Sequence, residues 1–198
     1  VVAGARDAGT YCFLKHFAVN NQDSYRDSLY TWLTEQALRE LYLRPFQIAV
    51  EGGATGLMTS YNRIGATWAG GSRALLTDVL RGEWGFEGAV ITDYADHQQY
   101  MSADQALLAG GDLYMDGVFR NGEYAHLDAG GAAGRGYASS LRRATKDVLY
   151  VAVEARASNL AFNEAEEAEG RAGIERPIKS AGPNYLGTAL GIADEDDQ

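Results

Sequence analysis

Short apolar runs alternate with longer amphipathic segments along most of this chain, as strands and helices taken in turn do. The apolar runs lie at 11–19, 54–61, 88–93 and 112–115. Between them the spacing predicts helices over 31–50, 72–84 and 102–109, with a last helix over 138–157. Leu38, Leu41, Tyr42 and Ile48 give the first helix an apolar stripe that Pro45 should kink. Leu141, Val148, Leu149 and Val151 should form the buried side of the last. Ser102 and Gln105 have capping-box spacing at the head of the third. Asn20 to Ser28 reads as a polar loop, Gly65 to Gly71 as a glycine-rich one, and a glycine-rich excursion ends near Gly136. No internal repeat accompanies this β-α alternation. Past the last helix the chain turns polar and acidic, like a linker or tail.

The run Gly88-Ala-Val-Ile-Thr-Asp-Tyr94 is the most informative. Ala89, Val90 and Ile91 suit a strand buried on both faces, and Asp93 ends it. A carboxylate at the C-terminal end of a buried parallel strand sits where α/β barrels keep their chemistry; alone, it could equally cap the next helix. In the first run, Lys15 and His16 interrupt apolar sequence. A lysine there should reach a carboxylate, a ligand or solvent, because an unpaired buried ammonium costs several kcal/mol. Neighbouring strand residues point to opposite faces, so only one of this pair can enter a barrel unless the strand bends.

Composition narrows the class. A hydrophobic fraction of 46% and a charged fraction of 22% suit a folded domain. The net charge of −10 argues against nucleic acid or an anionic membrane as partner. No apolar run approaches the roughly 18 residues of a membrane span. Cys12, the single cysteine, has no partner for an internal disulfide. The chain begins at Val1 in mid-pattern, so compartment is left open. No Gly-x-Gly-x-x-Gly loop follows the first strand, which disfavours an open dinucleotide-binding sheet. The pairs Gly70-Gly71 and Gly110-Gly111 are weak phosphate signals, and Asp112, Asp116 and Glu123 bring the wrong charge to a phosphate nest after the last strand.

Four stretches together resemble glycoside hydrolase family 3, the family of many β-glucosidases. They are Leu14-Lys-His-Phe-Ala-Val-Asn-Asn-Gln22, Ala37-Leu-Arg-Glu-Leu-Tyr-Leu-Arg-Pro-Phe46, Met58-Thr-Ser-Tyr-Asn62, and the segment from Ser72 to Tyr94. The last is the most specific, with its helix, Gly-Phe-Glu-Gly turn, apolar strand and Asp-aromatic pair in order. Thr92-Asp93-Tyr94 stands where members often have Ser-Asp-Trp. The resemblance implies an α/β fold, a TIM-type (β/α)8 barrel of which residues 1–158 supply about the second half in four β-α units. Residues 159–198 would be an acidic polar tail or linker.

The resemblance also implies roles. Asp93 would be the nucleophile of a retaining β-glycosidase, most simply a β-glucosidase, with Lys15 favouring its charged form. Lys15 and His16 would hydrogen-bond sugar hydroxyls, Tyr61 would orient the carboxylate, and Met58 and Tyr94 would wall the sugar. For Met58 and Tyr94, ordinary packing is an equal alternative. Asp96, His97, Asp104, Asp112 and Asp116 are titratable near strand ends and receive no role. Neither metal nor organic cofactor is implied. The partners would be a β-linked glucoside or oligosaccharide and a separate α/β sandwich domain carrying the acid/base, which nothing in this chain resembles. The family's histidine acid/base branch is disfavoured, because Ala18-Val-Asn-Asn follows the Lys-His-Phe motif. The alternatives are a catalytically silent carbohydrate-binding relative, or an exo-glycosidase of other specificity such as a β-xylosidase.

Overall fold

The computed structural model describes residues 1–95, 100–115 and 134–168, with the helical ends 134–136 and 156–168 as backbone alone. The chain divides into units Val1–Asn159 and Leu160–Gln198. Asp96, His97, Asp116, Glu123 and the acidic residues from Glu169 onward lie outside the described residues, as does the glycine-rich excursion except its last residues.

The centre of the first unit is a parallel sheet in the order β1 (Phe13–Phe17), β3 (Gly56–Thr59), β6 (Ala89–Ile91). Its register pairs Leu14 with Leu57 and Leu57 with Val90. These residues lie on one face, where Leu57 and Val90 are buried against the helical layer. Phe13, Met58 and Ile91 carry the other face. That face is less covered, and Phe13 remains 39% exposed. The fourth apolar run was expected to form a strand. It contributes a single parallel bridge, Ile91 to Leu113, supported by the amides of Asp112 and Leu113 donating to the Val90 carbonyl. The Thr92 amide donates back to the Leu113 carbonyl, and the Asp112 carboxylate beside it turns inward to accept from the Val90 amide and two arginines.

The helical layer departs from simple periodicity. The first helical stretch runs through α2 (Glu35–Ala37), a π-type segment (Leu38–Leu43) and α3 (Arg44–Glu51). Thr34 caps it, accepting from the Ala37 amide at 3.2 Å, so it starts later than the pattern suggested. Pro45 lies in the first turn of α3, just after the π-type segment, where a missing amide is tolerated. The wider turn also rotates the apolar stripe. Leu38, Tyr42, Leu43, Phe46 and Val50 face the core, while Leu41 is 69% exposed and Ile48 is exposed with it. The next helix, Ala74–Glu83, is again π-type and buries Leu75, Leu76 and Leu80. Phe17 joins the layers, its ring 5.0 Å from Phe46 and 6.0 Å from Trp84 in edge-on contacts.

Gly88 links this helix to β6, and a side chain there would sit 2.0 Å from the Thr55 carbonyl. In α4 (Ala103–Ala109), Ser102 accepts from the Gln105 amide. Gln105 does not close the expected capping box. Its side chain donates to the Gly71 carbonyl instead and ties α4 to the loop before the π-type helix. The last helix, α5 (Gly134–Ala168), extends past the expected end at Ala157, through a stretch rich in Ala and Glu that favours helix. Among its described side chains Ala144 and Asp147 are buried, and Leu149 is 58% exposed rather than buried. The stripe there is anchored by charge: Arg81 pairs with Asp112 at 2.7 Å and Asp147 at 3.0 Å, and Arg143 with Asp112 at 2.6 Å. Hydropathy cannot reveal such a contact.

Periodicity also missed α1 (Val2–Asp7) and a small second sheet of two-residue strands. In that sheet β2 (Tyr30–Thr31) pairs in parallel with β4 (Arg63–Ile64), which forms a hairpin with β5 (Thr67–Trp68) around Gly65. Residues expected to begin a helix and to form a glycine-rich loop thus form a rim next to the strand ends.

Candidate functional site

Three strands deliver chemistry to their C-terminal ends. β1 carries Lys15 and His16, Tyr61 follows β3, and Asp93 follows β6. The β1 register shifts between Leu14 and Phe17, at the Lys15-His16 pair. His16 Nε2 lies 3.2 Å from Asp93 Oδ2. Asp93 Oδ1 accepts from the Tyr94 amide at 2.7 Å, and the Tyr61 hydroxyl donates to the Tyr94 carbonyl at 2.7 Å. The nucleophile candidate, an imidazole and a phenol therefore meet in one place.

Burial shapes the ionisation of both neighbours. It holds the His16 imidazole below its ordinary range; Asp93 pulls upward, while Lys15 and Arg26 add to the lowering. Near neutral pH His16 is a neutral donor or acceptor. The Tyr61 phenol is pushed up to about 12, first by burial and then by the Asp93 carboxylate beside it, with Arg26 opposing. Tyr61 thus stays protonated and can donate. Lys15 is exposed, reaching solvent at the strand end rather than a buried partner. Met58 is half-buried on the less covered sheet face, in register with Ile91. Tyr94 is also exposed. The fold thus gathers His16, Tyr61, Asp93 and Tyr94 by direct contact, with Lys15 and Met58 on the strands beside them.

A second packed cluster supports the site from beneath, with Tyr61, Trp68, Ala95, Met101 and Ala106 buried together. Trp68 donates from its indole to the Ser60 carbonyl, and Ser60 to the Ala18 carbonyl, joining the ends of β1 and β3. Arg26, in the polar loop after β1, stacks 4.4 Å over the Tyr61 ring and pairs with Asp23. Only its position soon after the Lys-His motif hints at this. Asp112, a titratable candidate without an assigned role, belongs to the buried arginine network described above. Among the described residues no group of His, Cys, Asp and Glu could hold a metal ion.

A parallel α/β sheet with carboxylate, imidazole and phenol converging past its strand ends defines a site for polar ligands at the usual face of such folds. The chain belongs to glycosyl hydrolase family 3: the model of the family's N terminal domain matches residues 1–145. Among curated relatives it is 45% identical over 119 residues to a probable beta-glucosidase J of Neosartorya fischeri, covering 60% of this chain and 13% of that protein. Among solved structures, beta-glucosidase 3B of Thermotoga neapolitana in complex with glucose matches with a TM-score of 0.69 and 33% identity, over 80% of this chain and 23% of that one. The Bifidobacterium adolescentis GH3 beta-glucosidase matches with a TM-score of 0.67 and 34% identity, over 79% of this chain and 23% of that one. The chain therefore spans less than a quarter of these relatives' length.

Proposed function

We propose that Asp93 is the nucleophile of a retaining β-glycosidase, most simply a β-glucosidase, with the acid/base supplied from outside this chain. The observation that carries the reading is the contact of His16 with Asp93 at 3.2 Å, beside Tyr61, at the ends of three neighbouring parallel strands. The beta-glucosidase names of the relatives support the substrate class.

In this reading an Asp93 oxygen attacks the anomeric carbon as the glycosidic C–O bond breaks. The leaving oxygen takes a proton from the external acid, and water later releases the sugar from the ester. Tyr61 orients the carboxylate, and Lys15 and His16 take sugar hydroxyls. Arg26 holds Tyr61 in place, while Met58 and Tyr94 contact the sugar's C–H faces. The chain supplies about the second half of a (β/α)8 barrel within residues 1–158, with 159–198 leading out of it. A separate α/β sandwich domain provides the acid/base. The less covered sheet face with Phe13, Met58 and Ile91, and the open edges at β1 and Leu113, fit a sheet continued by further strands.

The test is trapping in the full-length protein with a 2-deoxy-2-fluoro-β-glucoside, followed by peptide mapping. The label is expected on the peptide containing Thr92-Asp93-Tyr94. A label on Asp96, Asp104 or Asp116 would overturn the assignment. Trapping by a fluoroxyloside in place of the glucoside would move the specificity to β-xylosidase.

A further inference from the structure

Arg63, on β4, joins the 27–30 segment to Tyr100 at the rim of the site. Its guanidinium lies 4.1 Å from the centroid of the Tyr100 ring and 4.7 Å from that of Tyr30. One nitrogen, Nη1, donates to the Asp27 carbonyl at 2.8 Å. The Arg63 amide donates to the Leu29 carbonyl, and the Gly65 amide to the Thr31 carbonyl, so the residue is fastened through backbone as well. Each contact leads inward. Tyr100 donates to the Tyr61 carbonyl at 2.8 Å, and its ring meets Trp68 edge-on at 6.4 Å. Asp27 adjoins Arg26, whose guanidinium covers the Tyr61 ring.

We propose that Arg63 is a positioning residue for the glycosidase site, clamping the 23–31 loop and the Tyr100 segment together so that Arg26 stays over Tyr61. The inference rests on the proposed function and deepens it. Arg63 does not meet the sugar; it acts through Arg26 and Tyr61. A guanidinium suits this task because it is flat, stacks on rings and still projects donors from its edge. An ammonium in the same place could approach one ring or the carbonyl, but could not hold all three.

Two observations separate the segments' own stability from the clamp. Tyr30 is 53% exposed, so its ring is held chiefly by Arg63 and the two-residue pairing of β2 with β4. The loop has a left-handed residue at Tyr25 and a single short 3-10 turn at Arg26–Ser28, little regular structure to fix it unaided. Within the loop Arg26 is held by its exposed pair with Asp23 and by backbone bonds to Asp23 and Leu29.

The test compares Arg63→Met, Arg63→Lys and Tyr30→Leu in the full-length protein. Hydrogen–deuterium exchange of peptides covering 23–33 is read together with kcat/KM on an aryl β-glucoside. In Arg63→Met, exchange in that loop is expected to rise, with peptides over β3 and β6 unchanged. The kcat/KM should fall about tenfold, the combined scale of two partly exposed cation–π contacts. Arg63→Lys should recover little of either, and Tyr30→Leu should show a smaller change of the same kind. In an Arg26→Met background, adding Arg63→Met should cost no further factor. Two full, independent losses would show that Arg63 does not act through Arg26 and overturn the proposal. Unchanged exchange in the 23–33 loop would overturn it as well. If Arg63→Met fails to fold, Tyr30→Leu decides by the same two readouts. Should the unmodified protein lack glycosidase activity, the proposed function fails, and the exchange pattern alone still decides whether the clamp exists.

Discussion

Replacing Arg143 with methionine tests the buried charge network that docks α5. Arg143 Nη1 donates to Asp112 Oδ1 at 2.6 Å and to the Gly110 carbonyl at 2.9 Å. Its Nη2 donates to the Leu107 and Gly111 carbonyls, both at 2.9 Å. The guanidinium thus satisfies carbonyls at the C-terminal end of α4 and half of a carboxylate that is fully buried. Methionine keeps most of the stem, so the loss is polar. Removing one partner of a buried ion pair costs about 3–5 kcal/mol, since the other charge stays buried with less compensation. At roughly 2–4 °C per kcal/mol for a chain of this size, the thermal midpoint should fall by about 10 °C at pH 7.5. The penalty should also depend on pH. Burial already raises the Asp112 carboxyl to about 6, against Arg81 and Arg143, from an ordinary value of 3.8. A carboxyl raised in the folded state binds its proton more tightly there than in the unfolded chain. The contribution of Asp112 to stability therefore rises as pH falls from above about 6 toward 4. Without Arg143 the carboxyl rises further, so the cost of the substitution should shrink by about half at pH 5 as Asp112 becomes neutral. Circular dichroism melts at pH 7.5 and 5 provide the measurement. A loss below about 1 kcal/mol at pH 7.5, or one that grows on acidification, would refute the reasoning.

Lys15→Met should leave the thermal midpoint within a few degrees, because Lys15 is exposed, while kcat/KM on aryl β-glucosides falls at least about a hundredfold if the ammonium binds sugar hydroxyls in the transition state. A large loss of stability with unchanged kinetics would make it a structural charge. His16 is lowered by burial from its ordinary 6.5, so the unfolded chain binds the proton first. The His16 contribution to stability should decline as pH falls below about 6.5, and His16→Gln should remove that component from a pH–stability curve. The 198-residue chain expressed alone should be inactive on cellobiose and should melt with weak cooperativity, because its central sheet presents open edges and a less covered face. Normal turnover by the isolated chain would mean that both catalytic carboxyl groups lie within it.

The local pattern determined the central strands because a strand buried on both faces must be continuously apolar. Ala89-Val-Ile91 and Gly56-Leu-Met-Thr59 follow that rule closely. It also determined which side chains could react. Carboxylate, imidazole and phenol in or just after such runs stand out, and the strand direction carries His16, Tyr61 and Asp93 to one end of the sheet. What it could not determine was anything set by pairing between distant segments. The π-type turn at Leu38–Leu43 moved Leu41 and Ile48 outward, because one wider turn rotates everything after it. The fourth run meets the sheet at a single bridge, and its Asp112 is met by Arg81 and Arg143 from other helices, a pairing no local pattern announces. Arg63 had no local signature, and Arg26 only its place soon after the Lys-His motif. An arginine in a polar loop reads as solvated until the fold brings an aromatic ring beneath it, and only tertiary packing decides which ring that is.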